Sequence, residues 1–467
     1  MQPVLTAEEM REVDAAASAS GVPLESLVER AGTAVAAVAS RLLGGCYGRR
    51  VVVVAGPGNN GADGKVAGAL LRRRGALVRI IEAREAPERL PVSDLVIDAA
   101  FGTGFRGDYR APNPGSAPVL SVDLPTGVDA DTGEAGEEAV VATETVTFGA
   151  WKPGLLLGDG RRRAGRVHLA PIGLPVPAHE DISVRLVEDG DVHDLVPERG
   201  ADSHKWKTAV AIVAGSPGMY GAPSFVSHAA LRAGAGMVRL AIPGADPSDL
   251  PVSEAVSRPL PQSGFDQAAL TAAERCKALV IGPGLGTERP TRASVRRIVE
   301  KAPLPTVVDA DGLTALGEDS SAAEVVAGRA DETILTPHEG EYARLAGAPP
   351  GPDRLAAVTK LASRLRSIVL LKGSTTVVAS PSGTVLLACA GSSRLATAGT
   401  GDVLSGVIGA FLARGMPATE AAAVAAHVHG RAAERGFHDG LIAGDLPELI
   451  AAVLSEAADT SAGSRAG

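Results

Sequence analysis

The sequence predicts an α/β protein with two domains, each built on a largely parallel sheet. Short, continuous Val/Ile/Leu runs alternate with Ala-rich helical stretches in both halves of the 467-residue chain. Strands buried on both faces of a parallel sheet have this continuous apolar pattern, and the helices between them cover the faces. The length of the chain also exceeds that of a typical single domain.

The strand-like runs fall into two groups separated by a polar stretch. Residues 174–203 are rich in Pro, Asp and Glu and are interpreted as a connection with one or two short strands. We therefore expect a first domain over residues 1–200, with its linker from about 175, and a second over residues 201–467. The runs are VVVVA, LVID and VLSVDL before the stretch, and AVAIVAG, ALVIGPG, TVVDADG, TILTPH and IVLLKG after it.

Composition and charge exclude several classes of protein. Apolar residues make up 45% and charged residues 21%, which is ordinary globular usage and excludes bulk disorder. The net charge of −9 argues against a nucleic-acid partner. The three cysteines lie far apart, without the spacing of a disulfide framework or zinc site. With neither a signal-peptide pattern nor an 18-residue apolar run, we expect a cytoplasmic protein that does not contact membranes.

A glycine loop, GPGNNGADG over residues 56–64, lies between the VVVVA strand and a helical segment. Such a junction presents backbone N–H groups and a helix N-terminus to an anionic ligand. Gly56, Gly58 and Gly61 fit GxGxxG, which favours a Rossmann-like domain, although the pattern alone is weak and a purely structural turn is the alternative. A Walker A loop is excluded, because no Gly-x4-Gly-Lys-Ser/Thr surrounds Lys65.

Polar side chains recur at the ends of the strands in this half. DAAFGTGFRGD and VDLPTGVD each follow a strand, and ligands of open parallel sheets bind at the carboxyl ends of strands. Asn60, Asp98, Asp123 and Thr126 are then expected to converge as an all-oxygen set that suits a hard cation. A loop-capping role is the alternative for any one of them.

These segments, together with WKPGLLLGDGR, resemble the NAD(P)H-hydrate epimerase family over about residues 1–175. The resemblance implies a Rossmann-like domain that interconverts the R and S epimers of NADH or NADPH hydrated at C6. It also implies a bound K⁺ ion, held by Asn60, Asp98 and Thr126, and a catalytic Asp123 at the altered ring. The remaining residues implied to bind the hydrate are Asn59, Asn60, Gly61, Ala62, Asp63, Gly102, Thr103, Gly104, Phe105, Arg106, Gly107 and Asp108. The sequence departs from the family at Ala62 for glycine, at Thr126 for serine, and in a short segment 109–118 that lacks room for a surface helix.

A second glycine segment, AGTGDVLSGVIGAFLARG, lies in the other half of the chain. Its apolar residues Val403, Leu404, Val407, Ile408 and Phe411 have helical spacing, which places Asp402 in the first turn. The loop and the helix N-terminus form an anion hole, and Asp402 is interpreted as a general base beside it. Capping of the helix is the alternative.

Three further segments of this half end strands or open helices: LKGSTTVV, GPGLGTE and TPHEGEYARL. The first places a lysine where nucleotide phosphates are bound. His338 and Glu339 open a helix without a second histidine at zinc spacing, and His427 and His429 are interpreted as structural.

GTGD, KGS and GPGLG resemble the ribokinase-like superfold. HKWKTAVAIVAGSPGMYGAPSF and TPHEGEYARL narrow the resemblance to the NAD(P)H-hydrate dehydratase family over about residues 200–455. The implied reaction uses ADP with Mg²⁺ to dehydrate the S hydrate, giving NAD(P)H, AMP and phosphate, with Asp402 as the base. The implied nucleotide-binding residues are Lys372, Gly373, Ser374, Thr375, Thr376 and Gly401, and the implied hydrate-binding residues are Ala222, Gly286, His338 and Asp402.

The two halves together indicate a bifunctional NAD(P)H-hydrate repair enzyme, because an epimerase supplies the one epimer that a selective dehydratase accepts. The family resemblance also favours a homo-oligomer with small-molecule substrates. The alternative is a vitamin-type small-molecule kinase in the second half, joined to a non-catalytic N-terminal binding module.

Overall fold

A computed structural model of the chain describes residues 1–464, apart from residues 106, 108, 179–180, 251–252 and 318. The chain forms two compact units, Gln2–Ile182 and Ser183–Gly467, the latter including Met1. The division lies earlier than the one near residue 200 that the sequence predicts, because residues 184–186 form a strand of the second unit. Among the described residues, no helix combines the length and the apolar character required to cross a bilayer.

The first unit is built on a six-stranded parallel sheet, apart from a two-residue strand at the start of the chain. Its helices are α1 (Ala7–Ala19), α2 (Leu24–Leu42), α3 (Asn59–Arg73), α4 (Pro153–Leu156) and α5 (Gly158–Arg163). Its strands are β1 (Gln2–Pro3), β2 (Arg50–Ala55), β3 (Leu77–Glu82), β4 (Leu95–Ala99), β5 (Val119–Val122), β6 (Glu144–Phe148) and β7 (Arg166–Ala170).

The strand order of this sheet is β3-β2-β4-β5-β6-β7, with every neighbouring pair parallel. β4 and β5 are buried along their whole length, which confirms that their continuous apolar runs are central strands. The order reverses between β2 and β4, so a crevice opens at the carboxyl ends of these strands, where open α/β sheets bind ligands. Residues 109–118 contain no helix, as the short segment predicts.

The second unit has a larger sheet covered by helices. Its helices are α6 (Asp189–Leu195), α7 (Gly221–Arg232), α8 (Asp266–Ala273), α9 (Arg289–Lys301), α10 (Asp311–Leu316), α11 (Asp319–Val326), α12 (Glu339–Ala346), α13 (Arg354–Leu365), α14 (Thr400–Ala413), α15 (Ala418–Arg435) and α16 (Leu446–Ser464). Its strands are β8 (Val184–Leu186), β9 (Ala209–Val213), β10 (Met237–Pro243), β11 (Val256–Leu260), β12 (Ala278–Ile281), β13 (Thr306–Val308), β14 (Thr333–Leu335), β15 (Ile368–Leu371), β16 (Thr376–Ala379) and β17 (Val385–Ala388).

Strands of this unit follow the order β8-β17-β16-β15-β14-β13-β12-β9-β10-β11. The pairs from β15 to β11 are parallel, whereas β16 runs antiparallel to both of its neighbours. The order reverses between β9 and β12, which places a second switch point at the glycine loop that follows β12. α14 is buried along Val403–Ala413, which confirms the helical spacing of its apolar residues.

Candidate active sites

The first glycine loop is shorter than the sequence predicts, because α3 begins at Asn59 and already includes Asn60 to Asp63. The loop backbone is packed closely against its neighbours. A Cβ on Gly56 would lie 1.7 Å from the carbonyl oxygen of Ala100, and a Cβ on Gly61 would lie 1.8 Å from that of Gly56. Only glycine fits at these two positions, so the loop draws the first turn of α3 against the end of β4.

A cavity of about 850 Å³ opens at this end of the sheet and is closed on one side by α1 and α2. Its wall combines apolar side chains with a few charged groups, which is the usual composition of a small-molecule site. The residues that line it are Met10, Arg11, Asp14, Ser18, Val22, Leu24, Leu27, Val28, Ala31, Pro57, Gly58, Asn59, Asn60, Asp63, Ala100, Phe101, Gly102, Thr103, Gly104, Phe105, Asp123, Phe148, Lys152, Ile172 and Leu174.

The structure brings most of the predicted epimerase residues to this cavity. Those that line it are Asn59, Asn60, Asp63, Gly102, Thr103, Gly104, Phe105 and Asp123. Gly61, Ala62 and Gly107 do not line it; Gly61 is instead required by the packing of α3. Arg106 and Asp108, which the sequence also predicts as ligand-binding, lie outside the described residues.

Asp123 is paired with a buried lysine, Lys152, which is not among the predicted site residues. Lys152 Nζ donates to Asp123 Oδ1 at 2.7 Å, to Thr147 Oγ1 at 2.9 Å and to the carbonyl oxygen of Phe148 at 2.8 Å. The lysine side chain is 2% exposed, and its three donors are all used. Asp123 itself adopts a left-handed backbone with φ of 67°. A residue with a strained backbone, whose carboxylate is held by a fully hydrogen-bonded ammonium, is typical of a preorganised catalytic group.

Two more carboxyl groups share the cavity with Asp123. Asp63 comes from α3 and is 7% exposed, whereas Asp14 comes from α1. Burial, together with the charges of Asp123 and Asp14, raises the pKa of Asp63 to about 8. Partial burial also raises the pKa of Asp14, against the attraction of Lys152. At neutral pH this group of acids therefore holds a proton on Asp63.

Asp98 is buried at the end of β4, does not line this cavity, and joins the loops that follow β4 and β5. Its carboxylate accepts hydrogen bonds from Ser121 Oγ at 2.9 Å, from the Thr126 amide at 2.9 Å and from Thr126 Oγ1 at 2.7 Å. Burial raises the pKa of Asp98, while these hydrogen bonds lower it. Thr126, the threonine at the position where serine is expected, therefore binds Asp98 through both its hydroxyl and its backbone amide.

In the second unit, Asp402 lies in the first turn of α14, after Gly399, whose φ is 90°. The loop after β15 places the Lys372 ammonium beside this turn. Its Nζ lies 3.4 Å from the position that a Cβ on Gly401 would occupy. Burial and the charge of Asp309, with a smaller contribution from Asp311, raise the pKa of Asp402 to about 6 against the opposing charge of Lys372. A carboxyl group with a pKa near neutrality beside a helix N-terminus can act as a general base next to a bound phosphate.

A buried carboxylate, Asp309, organises this second site and was not singled out from the sequence. It follows β13 and is 1% exposed. It accepts from Lys372 Nζ at 2.6 Å and from Ser405 Oγ at 2.6 Å, so it joins the loop after β15 to α14. The signal that was available is the acid that directly follows a buried strand in TVVDADG.

The residues predicted to bind the hydrate, apart from Asp402, lie in two places, and those predicted to bind the nucleotide lie in a third. The Gly286 amide donates to Asp311 Oδ2 at 2.8 Å, and a Cβ on Gly284 would lie 3.2 Å from that of Ala222, so these residues lie together at the switch point. His338 is the N-cap of α12, accepts from the Gly340 amide at 3.0 Å, and remains 59% exposed.

The nucleotide-binding segment that the sequence predicts is only partly directed towards Asp402. Lys372 lies beside Gly401, and Gly373 and Ser374 are exposed in the loop that follows. Thr375 is buried with its hydroxyl 3.7 Å from Cys389 Sγ, and Thr376 begins β16. His427 pairs with Asp189 at 2.8 Å, as a structural histidine does. His429 lies beside the Thr400 carbonyl, and burial lowers its pKa to about 4.

The pKa of Asp402 predicts how the activity of this site depends on pH. If its carboxylate is the base, kcat/KM for the hydrate rises with pH and levels off above about pH 6, because protonation of the free enzyme removes the base below that value. Replacing Asp311 by asparagine removes a charge that raises this pKa, so the acidic limb should move to lower pH. Measuring kcat/KM from about pH 4.5 to 8 in both proteins tests this, and an acidic limb that stays in place in Asp311→Asn contradicts it.

Comparisons with known proteins identify a matching family in each half of the chain. A family model described as NAD(P)H-hydrate dehydratase matches residues 210–455, and a model described as YjeF-related protein N-terminus matches residues 24–92 and 81–154. The bifunctional NAD(P)H-hydrate repair enzyme of Mycobacterium tuberculosis H37Rv is 40% identical to this chain, over 86% of this chain and 88% of its own. The bifunctional NAD(P)H-hydrate repair enzyme of Salinibacter ruber is 36% identical, over 97% of this chain and 96% of its own.

Solved structures resemble the second unit. An ADP/ATP-dependent NAD(P)H-hydrate dehydratase from Bacillus subtilis, co-crystallised with ATP and Mg²⁺, is 28% identical with a TM-score of 0.50, covering 58% of this chain and 97% of its own. A ribokinase-like protein from Enterococcus faecalis, 21% identical with a TM-score of 0.52, covers 59% and 97% and supports the fold. These comparisons do not favour the vitamin-kinase alternative.

Proposed function

This chain belongs to the family of bifunctional NAD(P)H-hydrate repair enzymes, and we propose that the two sites described above carry its two activities. The chain repairs NADH and NADPH hydrated at C6, by epimerising the hydrates and dehydrating one epimer. We assign epimerisation to the cavity around Asp123 and dehydration to the site around Asp402. The observation that carries this assignment is that each acid lies close to a lysine held in an ion pair. Lys152 pairs with Asp123 itself, and Lys372, beside Gly401, pairs with Asp309.

For the dehydratase site we propose phosphoryl transfer followed by elimination. Asp402 takes the proton of the C6 hydroxyl, whose oxygen attacks the terminal phosphorus of ADP while the bond to AMP breaks. The phosphorylated hydrate then loses phosphate from C6 and a proton from C5, which restores the dihydropyridine ring. Lys372 and the amides around Gly401 are suited to hold the transferred phosphoryl group, because they bring positive charge to one point. Mg²⁺ bound together with the nucleotide would supply positive charge to its phosphates.

For the epimerase site we propose that Asn60, Asp98 and Thr126 hold a K⁺ ion. Their donors are oxygens, which suits a hard cation, and Asp98 and Thr126 are in direct contact. The buried Asn60 Nδ2 has no hydrogen-bond partner among the described residues. Exchanging the amide nitrogen and oxygen of Asn60 places an acceptor at that buried position, where a cation would use it. A bound K⁺ would supply one positive charge beside the hydrate.

A mixture of both epimers tests the two assignments together. With ADP and Mg²⁺, we expect the wild-type chain to convert the whole mixture to NADH, followed by its near-UV absorbance. Asp123→Ala should convert only the S fraction at the wild-type rate and then slow to the rate of spontaneous epimerisation, because its dehydratase site is intact. Asp123→Ala that converts the whole mixture as fast as wild type would disprove the epimerase site.

A further inference from the structure

The acids in the epimerase cavity differ in the way the protein supports them. Asp123 receives an ammonium and a hydroxyl donor, from Lys152 and Thr147. Asp63 and Asp14 face the same cavity, and neither carboxyl group has a hydrogen-bond or ion-pair partner within the described part of the chain. The buried Lys152 ammonium is committed to Asp123. Arg11, the other cation in the lining, donates its Nε to the Ala7 carbonyl and forms no ion pair with Asp63 or Asp14 among the described residues.

Charge therefore separates these carboxyl groups into a base and an acid. Three ionised carboxylates around one lysine in a partly buried cavity repel each other, and the group with least access to water keeps its proton. That group is Asp63, which is 7% exposed, whereas Asp14 is accessible to solvent. Titratable groups whose surroundings differ in this way mark the acid and the base of an acid–base reaction.

We propose that Asp63 is the proton donor of the epimerase reaction, that Asp123 is its base, and that the negative charge of Asp14 keeps Asp63 protonated. The proposal rests on the proposed function, because it assigns residues within the same cavity. Asp14 lies on α1, which precedes the region matched by the N-terminal family model.

These roles favour a ring-opening route at C6. Asp123 takes the proton of the C6 hydroxyl, the C6–O bond becomes a carbonyl, and the N1–C6 bond breaks with its electron pair moving to N1. Asp63 gives its proton to N1. Rotation about the C5–C6 bond presents the other face of the aldehyde, and N1 attacks it while both protons return to their original carriers. Atoms and charge balance, and no co-reactant is needed.

Replacing Asp63 by asparagine tests the proton donor. The substitution preserves shape and the neutral charge of the protonated acid but removes its transferable proton. We expect epimerase kcat to fall by about 10²- to 10⁴-fold with KM for the hydrate changed little, because general acid catalysis contributes a factor of that size. Conversion of the pure S hydrate by the dehydratase site provides the control in the same chain. An epimerase kcat within threefold of wild type would overturn the proposal.

The pH profile distinguishes a proton donor from a residue that only shapes the cavity. The groups that face Asp63 are Asp14 and Arg11 from α1, with Asp123 and Lys152 from the sheet side. Because the pKa of Asp63 is raised to about 8, kcat/KM of wild-type epimerisation should decline above about pH 8, where Asp63 loses the proton that it donates. Asp14→Asn removes a charge that raises this pKa, so the decline should move to lower pH. Glu12→Gln, an exposed charge on the same helix, should leave it unchanged. A decline that stays in place in Asp14→Asn overturns the role of Asp14.

Isotope labelling tests the route. In water enriched in ¹⁸O, ring opening retains the C6 oxygen, so the epimerised hydrate should gain label no faster than hydrate incubated without enzyme. One label gained per epimerisation would overturn ring opening. Failure of the wild-type chain to interconvert the epimers would instead remove the proposed function, whereas interconversion by Asp63→Asn removes only this inference.

Discussion

Replacing Asp402 by asparagine is expected to lower kcat for ADP-dependent dehydration by about 10²- to 10⁴-fold, which is the range for loss of a general base. The carboxylate is the only part of the side chain that changes, so the α14 N-terminus and the Lys372–Asp309 pair stay in place. The S hydrate with saturating ADP and Mg²⁺ provides the assay, because it does not require the epimerase site.

Two controls separate a base from a helix-stabilising charge. Asp266 is also a first-turn carboxylate, in α8, and Asp266→Asn should leave the dehydratase rate unchanged. Epimerisation by Asp402→Asn should equal that of wild type, because its site lies in the other unit. If Asp402→Asn keeps more than a tenth of the wild-type rate, Asp402 acts on the helix dipole and another group is the base.

Replacing Lys152 by methionine is expected to lower the free energy of unfolding of the first unit by about 3–5 kcal/mol, the range for removing one partner of a buried ion pair. The ammonium is 2% exposed, and its loss leaves Asp123 without a cation and leaves Thr147 and the Phe148 carbonyl without their donor. Epimerisation should fall with it, because Asp123 is no longer held in place.

Urea denaturation of the full chain, followed by hydrogen exchange of β4 and β5, measures this loss in the first unit. Lys65→Met removes the surface partner of Glu82, whose side chain is 49% exposed, and should cost at most about 1 kcal/mol. Adding Asp123→Asn to Lys152→Met should restore part of the stability, because the unpaired charge is removed. A Lys152→Met protein as stable as Lys65→Met would show that the pair contributes little.

Local patterns predicted the parts of the fold and site that depend on neighbours in sequence. The continuous runs gave β4, β5 and the strands of the second unit, because burial on both faces leaves no polar position. Helical spacing placed Asp402 in the first turn of α14. The start of α3 was wrong by several residues, because the close packing of Gly61 on Gly56 is not visible in the sequence.

Residues that act through tertiary contacts were missed. Lys152 is 29 residues from Asp123, and Lys372 is 63 residues from Asp309, so no spacing within a helix or strand reveals either pair. Asp14 reaches the cavity only because α1 packs over the end of the sheet. The short strand β8, with an arginine between two apolar residues, also gave no signal that the second unit starts before residue 200.

The left-handed backbone of Asp123 is unfavourable for an L-residue, whereas its carboxylate is needed to pair with Lys152. An L-residue with φ of 67° costs on the order of 1–2 kcal/mol that glycine would not pay. Glycine at residue 123 would remove this cost but would leave the buried Lys152 ammonium without its carboxylate, a loss of about 3–5 kcal/mol, so stability and repair activity both retain aspartate at this position. Consensus or stability-guided redesign of this chain should hold that position fixed and seek its gains elsewhere.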